Sequence, residues 1–311
     1  MKTKAKTLMV VGGGKIAYSG SDSNSHIPIA LKNNFTVCGI LETDKYRAKF
    51  LGDKYNCKTW EDLELVNLNS DPHLIVISTP TGKHLQNLKE LLARFPSSSF
   101  LIEKPLTVSK FEVNQARKLM SENFGNFRVN YTRNYSTDFY ALKRLLENED
   151  LIYANIIYSG GLLNSGSHFL RLLMSLFELD LKIVKESFSL SPNQNSFSLL
   201  DLNSKAYLDF KALEFNDLHF GEIKVVTNRF LLSIDQGQNF NLFLRNLEND
   251  RSWPRNLKPK HKGVLDDGFR QIYHNQNWLS KRNYSENYNN IMLDLATEDI
   301  IHSVLRISAI E

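Results

Sequence analysis

The chain has 311 residues, a formal net charge of +4 and a hydrophobic fraction of 42%. This length suits two domains, and the composition is that of an ordinary globular protein. The charge is too small to favour binding to nucleic acid, and no apolar stretch approaches the roughly 20 residues of a membrane-spanning helix. The composition therefore predicts neither a nucleic-acid partner nor a membrane partner.

The cysteines and the N-terminal residues favour a cytoplasmic location. The two cysteines, Cys38 and Cys57, have neither metal-ligand nor redox-motif spacing, so no metal site is predicted. Cys38 lies in an apolar run and is interpreted as a buried thiol of a reducing compartment. The first apolar run, Leu8–Val11, is far shorter than the core of a signal peptide.

The first 130 residues alternate short apolar runs with helical patterns. Helices are predicted over residues 84–95 and 109–122. Strands that are apolar on both faces and alternate with helices indicate a doubly wound parallel sheet. The predicted strands are Thr7–Val11, Phe35–Leu41, Leu74–Ser78, Phe100–Glu103 and Phe127–Tyr131.

Beyond residue 130 the pattern indicates an α+β domain. Helices are predicted at Asp138–Leu146 and His168–Phe177, and a terminal helix at Asn290–Ile310. Between residues 183 and 247, short runs of alternating polarity predict an open, mostly antiparallel sheet. The predicted domains are therefore residues 1–130, with the parallel sheet, and residues 131–311.

A glycine-rich segment follows the first predicted strand and fits the pattern G-x-G-x-x-A. Glycines allow a tight turn and a close approach of a pyrophosphate to the backbone, and the N-terminus of the next helix attracts its charge. The following small polar stretch, YSGSDSNSH, is interpreted as an inserted loop. The residues predicted to bind a dinucleotide here are Gly12, Gly14, Lys15, Ile16 and Ala17.

An acidic residue, Glu42, ends the second predicted strand. A carboxylate at this place accepts hydrogen bonds from the adenosine ribose and repels a 2′-phosphate, so NAD is favoured over NADP. The alternative is that Glu42 only begins a solvated loop. The spacing from Ala17 to Glu42 exceeds the usual value of about 20 residues, and the inserted loop accounts for the excess.

Several segments, in order, resemble the glucose–fructose oxidoreductase and inositol dehydrogenase family, called Gfo/Idh/MocA. They read VVGGGKIA, HIPIAL, LETDKYRAKFLGDKY, VISTPTGKHLQNLKELL, LIEKPLTVSKFEVNQARKL and GGLLNSGSHFLRLL. The resemblance implies a Rossmann dinucleotide-binding domain in residues 1–130 and a domain for substrate binding and homo-oligomerisation in residues 131–311. It also implies a nicotinamide cofactor and hydride transfer to or from a sugar, polyol or sugar nucleotide.

The resemblance also implies roles for individual residues. Glu103 and Lys104 match the family's E-K-P motif, in which the glutamate lies at the cofactor and the lysine reaches the reacting oxygen. His168 matches the residue that exchanges the hydroxyl proton, a step that suits an imidazole. The residues that match the family's cofactor-lining stretch are Thr79, Pro80 and His84.

Two positions depart from the family pattern. Asn164 stands where the family commonly has a catalytic aspartate, and Arg171 stands where another aspartate is frequent. In one reading Asn164 and Arg171 mark a different, acidic or nucleotide-linked substrate, with Arg133 as a further substrate-binding candidate. In the other reading turnover is impaired, and the protein is a cofactor-binding regulatory or interaction protein.

A basic stretch, RSWPRNLKPKHK at residues 251–262, adds a further candidate. An arginine- and lysine-rich loop that contains a tryptophan can clamp a nucleotide diphosphate. The alternative is an ordinary solvated loop.

Overall fold

The computed structural model describes residues 6–21, 24–123, 126–187, 195–213, 220–235, 241–247, 268–274, 279 and 284–307. The basic stretch at residues 251–262 lies outside these residues. The chain forms two compact units, one of residues 1–130 with 269–295 and one of residues 131–268 with 296–311.

The first unit contains a six-stranded parallel sheet in the order β3-β2-β1-β4-β5-β6. Its strands are β1 Lys6–Val11, β2 Phe35–Leu41, β3 Lys58–Trp60, β4 Leu74–Ile77, β5 Ser99–Ile102 and β6 Asn126–Val129. All five predicted strands are therefore confirmed to within one or two residues. Strand β3 was not predicted, because three residues are too few for a periodic pattern.

Four helices accompany this sheet, namely α1 His26–Lys32, α2 Lys45–Tyr55, α3 His84–Arg94 and α4 Lys110–Glu122. The apolar face of α3 is buried, including Leu85, Leu88 and Leu91. Helix α4 is capped by Ser109, whose side chain accepts a hydrogen bond from the backbone N–H of Glu112. Cys38 on β2 is only half-buried, which corrects the expectation of a buried thiol, and burial raises the pKa of its thiol to about 11.

The second unit contains a seven-stranded sheet in the order β13-β12-β11-β7-β10-β9-β8. All neighbouring strands are antiparallel except β7 and β10, which pair in parallel. Its elements are α5 Thr137–Leu145, β7 Leu151–Tyr158, α6 Ser167–Leu176, β8 Leu181–Ser187, β9 Ser196–Asp201, β10 Tyr207–Ala212, β11 Gly221–Thr227, β12 Phe230–Asp235 and β13 Asn241–Asn246. The predicted fold class is thus confirmed.

Two further helices complete the described chain. Helix α7, Gly268–His274, belongs to the first unit from Phe269 onward, although it lies far along the chain. Helix α8, Tyr284–Ile307, begins six residues before the predicted terminal helix. Among the described helices, none is long and apolar enough to cross a membrane.

Candidate functional site

The turn after β1 requires glycine at Gly12. This residue has a φ of +91°, and a Cβ built on it would lie 2.7 Å from the backbone carbon and oxygen of Ser78. Its N–H donates to the carbonyl of Leu41 at 2.8 Å, which holds the turn against the end of β2. A Cβ built on Gly14 meets no atom of the described residues within 4 Å apart from its chain neighbours, so open space adjoins the backbone in this part of the structure.

The helix that follows the glycine turn is interrupted at the stretch interpreted from the sequence as an inserted loop. Ala17 and Tyr18 donate to the carbonyl of Gly14 at 3.0 and 2.9 Å and complete one helical turn. The chain then leaves, and His26 and Ile27 donate to the carbonyls of Ile16 and Ala17, both at 3.0 Å.

In a continuous α-helix these two carbonyls would accept from residues 20 and 21, because each N–H bonds the carbonyl four residues earlier. The helix therefore resumes six residues late (26 − 20 = 6). Subtracting these six from the 25 residues between Ala17 and Glu42 leaves 19, close to the usual spacing of about 20. The predicted inserted loop is thereby confirmed and its length defined.

Glu42 is buried at the end of β2, only 6% exposed, so it does not begin a solvated loop. Its Oε2 accepts from the N–H of Gly13 at 2.7 Å, and its Oε1 accepts from the N–H of Asp44 at 2.9 Å. The guanidinium of Arg47 lies 3.4 Å from Oε2. The carboxylate is thus held beside the glycine turn, where the sequence pattern predicts an acidic residue.

His84 joins the loops that follow β4 and β5. One ring nitrogen, Nε2, lies 2.7 Å from the carbonyl oxygen of Thr79, and the other, Nδ1, lies 2.7 Å from the carbonyl oxygen of Pro105. The hydroxyl of Thr79 accepts from the side chain of Asn87 at 3.0 Å. Since His84 is 1% exposed and both nitrogens face backbone carbonyls, its observed role is to connect the two loops.

The E-K-P segment leaves β5 with a cis bond between Lys104 and Pro105. Burial alone would raise the pKa of Glu103, but hydrogen bonds from His26 and Asn130 and the nearby charge of Lys104 outweigh it. The pKa of Glu103 is therefore lowered, and the group remains a carboxylate. The Lys104 side chain is half-buried.

In the second unit, His168 is the second residue of α6 and lies edge-to-face with Tyr131, with ring centroids 5.6 Å apart. Asn164 lies in the π-helical turn directly before α6 and is exposed. Asn164 and His168 are therefore on one turn-to-helix segment. The hydroxyl of Tyr131 donates to Glu298 at 3.4 Å.

The two arginine candidates of the second unit have different environments. The guanidinium of Arg133 lies over the ring of Phe169, 4.7 Å from its centroid, so Arg133 is not a free surface residue. Arg171 is 1% exposed and donates to the hydroxyl of Ser175 on its own helix. Because Arg171 is buried, it is not placed to contact solvent directly. Its charge is instead placed to act on the first turn of α6.

Sequence reasoning missed several residues of these sites. His26 opens α1 and contacts Glu103, and its only signal was its place at the head of the apolar segment HIPIAL. Tyr273 contacts His26 from 247 positions away, which no local pattern could reveal. Asn134 is 6% exposed, and neither of its side-chain amide atoms has a hydrogen-bond partner among the described residues.

Residues 6–131 match the family model GFO_IDH_MocA, described as an oxidoreductase family with an NAD-binding Rossmann fold. This region is a Gfo/Idh/MocA domain. The resemblance inferred from the motifs is thereby confirmed, and so is NAD as the family's cofactor. Among curated proteins, none matches the chain in sequence.

Solved structures of Gfo/Idh/MocA type share the fold over nearly the whole chain. A dehydrogenase from Chromobacterium violaceum is 14% identical, with coverage of 99% of this chain and 96% of that one and a TM-score of 0.75. The WlbA dehydrogenase from Bordetella pertussis, in complex with NADH and UDP-GlcNAcA, is 13% identical, with coverage of 98% and 97% and a TM-score of 0.71.

An inositol dehydrogenase homologue from Azotobacter vinelandii, complexed with NAD+, is 12% identical, with coverage of 98% of this chain and 96% of that one and a TM-score of 0.74. At these identities the likeness establishes the fold of both units. The Gfo/Idh/MocA family is one of oxidoreductases, whereas the roles of Lys104, His168 and the other candidate residues stay predictions. Within the described chain, no group of histidine, cysteine, aspartate and glutamate side chains is arranged to hold a metal ion.

Proposed function

We propose that the protein is an NAD-dependent oxidoreductase that transfers a hydride between nicotinamide and a hydroxyl or keto carbon of a sugar, polyol or sugar nucleotide. The observation that carries the proposal is the common location of three features of the first unit. Gly12, Glu42 and Glu103-Lys104 directly follow the parallel strands β1, β2 and β5. In such sheets, ligands bind outside the carboxyl ends of the strands.

The preference for NAD rests on Glu42. Its carboxylate is fixed next to the glycine turn by two backbone N–H groups. A carboxylate at this position accepts from the ribose hydroxyls of NAD and repels the 2′-phosphate of NADP. Arg47 is already near Glu42 and Asp44, so its charge is shared with two carboxylates before any phosphate arrives.

For alcohol oxidation, the bound cofactor supplies the hydride acceptor. The Lys104 ammonium donates a hydrogen bond to the reacting oxygen and stabilises the negative charge that develops on it. His168 takes the hydroxyl proton, and in the reverse direction it returns that proton. Glu103 stays ionised beside Lys104.

The substrate-binding residues are proposed to be Asn164 and Arg133, and the buried Arg171 is proposed to favour the substrate only through its charge. An exposed amide such as Asn164 can donate to and accept from sugar hydroxyls, but it cannot take a proton. Arg133 and Arg171 add positive charge near His168, which favours an acidic or nucleotide-linked sugar. WlbA, which is complexed with UDP-GlcNAcA, and the inositol dehydrogenase homologue support this substrate class.

A second candidate function is that of a catalytically impaired, cofactor-binding regulatory or interaction protein. Asn164 favours it, because an amide cannot offset the charge of a protonated His168.

Cytoplasmic location and homo-oligomerisation through the second unit's sheet complete the proposal. The half-exposed Tyr207 and Ile152 on that sheet are apolar groups that a second copy would cover.

The first test is a fluorescence titration of the purified protein with NADH and with NADPH. We expect an NADH dissociation constant of about 1–100 µM, within the range of enzyme KM values, and weaker NADPH binding. Absence of binding of both cofactors would exclude the proposed oxidoreductase.

Turnover is then measured with UDP-GlcNAcA, inositol and simple sugars. Lys104→Ala should lower kcat by about 10²–10³-fold and His168→Ala by about 10²–10⁴-fold. Lys118→Ala is the matched control, because Lys118 is an exposed lysine of α4 whose partner is Glu122 on the same helix. NADH binding without turnover on any substrate would favour the regulatory alternative.

A further inference from the structure

A buried row of hydrogen bonds ends at the glutamate of the E-K-P segment. His26 is completely buried at the start of α1, and its Nε2 lies 2.8 Å from Oε1 of Glu103. Its other ring nitrogen, Nδ1, lies 2.5 Å from the hydroxyl oxygen of Tyr273. Asn130 donates from its side-chain nitrogen to the same Oε1 of Glu103 at 2.5 Å. Four residues from four different parts of the chain thus form one network.

The chemistry of these groups fixes the direction of the central bond. A carboxylate only accepts hydrogen bonds, so the proton at the contact between His26 and Glu103 must be on Nε2. Burial, followed by the charge of Glu103, raises the pKa of Tyr273, so its phenol keeps its proton. The imidazole is therefore held at both nitrogens, by a carboxylate on one side and a phenol on the other.

The hydrogen bonds of the network end on one oxygen of Glu103. Both hydrogen bonds that described residues donate to Glu103 end on Oε1. The Glu103 side chain retains 15% exposure, whereas that of His26 has none. Oε1 of Glu103 is thus anchored on the protein side, while the side chain as a whole keeps some exposure.

The same segment that carries Tyr273 also holds the end of the inserted loop. Arg270, one turn earlier on α7, donates from Nε to the side-chain oxygen of Asn24 at 3.2 Å. The ring of Tyr273 packs edge-to-face against His26 and Phe35, with centroid distances of 5.9 and 6.2 Å. Helix α7 therefore contacts both the loop after the glycine turn and the support of Glu103.

We propose that His26 and Tyr273 are positioning residues for the nicotinamide cofactor, holding Glu103, and with it the adjacent Lys104, in the geometry that the cofactor requires. This inference rests on the proposed function. Neither residue touches the reacting atoms. Each acts through Glu103, whose position depends on the hydrogen bonds from Tyr273 to His26 and from His26 to Glu103. Tyr273→Phe removes the first of these hydrogen bonds, and His26→Ala removes both.

The test compares NADH affinity with folding stability in a double-mutant cycle. Tyr273→Phe keeps the ring and removes only the hydroxyl. We expect it to weaken NADH binding about three- to tenfold, the size of coupling that residues of one hydrogen-bond network show. In a Glu103→Gln background, the same substitution should change NADH affinity less than twofold. His26→Ala should weaken binding further, and His26→Gln, which restores a donor to Glu103, should recover part of the loss.

Tyr153→Phe is the matched control, because it removes a phenol that hydrogen-bonds Asp209 in the second unit's sheet at 2.9 Å. It should leave NADH affinity within twofold of the wild type. If Tyr273→Phe lowers the urea midpoint of unfolding but leaves NADH affinity unchanged, the network has only a structural role and the inference is overturned. If the wild-type protein itself does not bind NADH, the proposed function fails first and the inference falls with it.

Discussion

The glycine turn offers a pair of substitutions that separates folding from cofactor binding. Gly14→Ala adds a methyl group where no atom of the described residues beyond the chain neighbours lies within 4 Å, and Gly12→Ala adds one that would overlap the backbone of Ser78 at 2.7 Å. Both substitutions have the same chemistry and lie two positions apart. Only their surroundings differ.

The structure fixes the expected magnitudes. At Gly14 the free energy of unfolding should stay equal or rise by about 0.4–1 kcal/mol, because alanine restricts the unfolded chain. At Gly12 the φ of +91° and the overlap together should cost at least about 1–3 kcal/mol. If a pyrophosphate approaches the backbone at Gly14, the added methyl group overlaps the ligand and NADH affinity falls by at least about tenfold, or 1.4 kcal/mol.

The assays are urea unfolding, followed by circular dichroism, and NADH titration, followed by fluorescence. We expect Gly14→Ala to fold like the wild type and to bind NADH poorly, and Gly12→Ala to lose stability. Unchanged NADH affinity in Gly14→Ala would refute the reasoning, because the open space beside Gly14 would then not be where the cofactor lies.

Three further outcomes are expected. Glu42→Gln should lower the ratio of NADH to NADPH affinity by about tenfold, because it removes the charge that repels a 2′-phosphate. Asp53→Asn, at an exposed carboxylate of α2 that pairs with Lys49, should leave this ratio unchanged in the same titrations. Folding lowers the pKa of Glu103 below its ordinary value of 4.5, so the ionised glutamate stabilises the folded state above pH 4.5. This stabilisation is lost as the pH falls through the lower, folded pKa. Urea unfolding measured above and below pH 4.5 should show the loss, and the Glu103→Gln variant should show less of it. Asn134→Leu should raise the free energy of unfolding by about 1 kcal/mol in the same assay, because it removes an amide buried without partners; an unchanged or lower value would indicate that Asn134 is satisfied in solution.

Local patterns were sufficient for most of the fold. The five apolar runs of the first unit became strands because runs buried on both faces have few alternatives to the centre of a parallel sheet. Strand β3 was not predicted, because its three residues are too few to show a pattern. Its position in the sheet depends on tertiary contacts such as that of Trp60 with Gly39. The positions of candidate site residues were predictable where these residues follow strands, as Glu42 and Lys104 do.

The remaining parts of the site depend on distant contacts. Nothing near Tyr273 in the sequence indicates that its phenol meets His26, because α7 returns to the first unit from far along the chain. The interruption of the first helix was visible only indirectly, as an excess in the spacing before Glu42. Hydrogen bonds between residues so far apart are set by the tertiary fold, and periodicity carries no information about them.

The interruption of the first helix is a site where a foreign peptide could be inserted, because the helix resumes in its regular hydrogen-bond pattern. The carbonyls of Ile16 and Ala17 accept from residues of α1 just as they would in an unbroken helix, so the scaffold defines where the loop departs and returns but not how long it is. Loop closure costs little more as a loop lengthens, about 0.6 kcal/mol for each doubling. A peptide that carries an environment-sensitive dye could therefore replace residues 20–25 and report occupancy of the dinucleotide directly, without a known substrate.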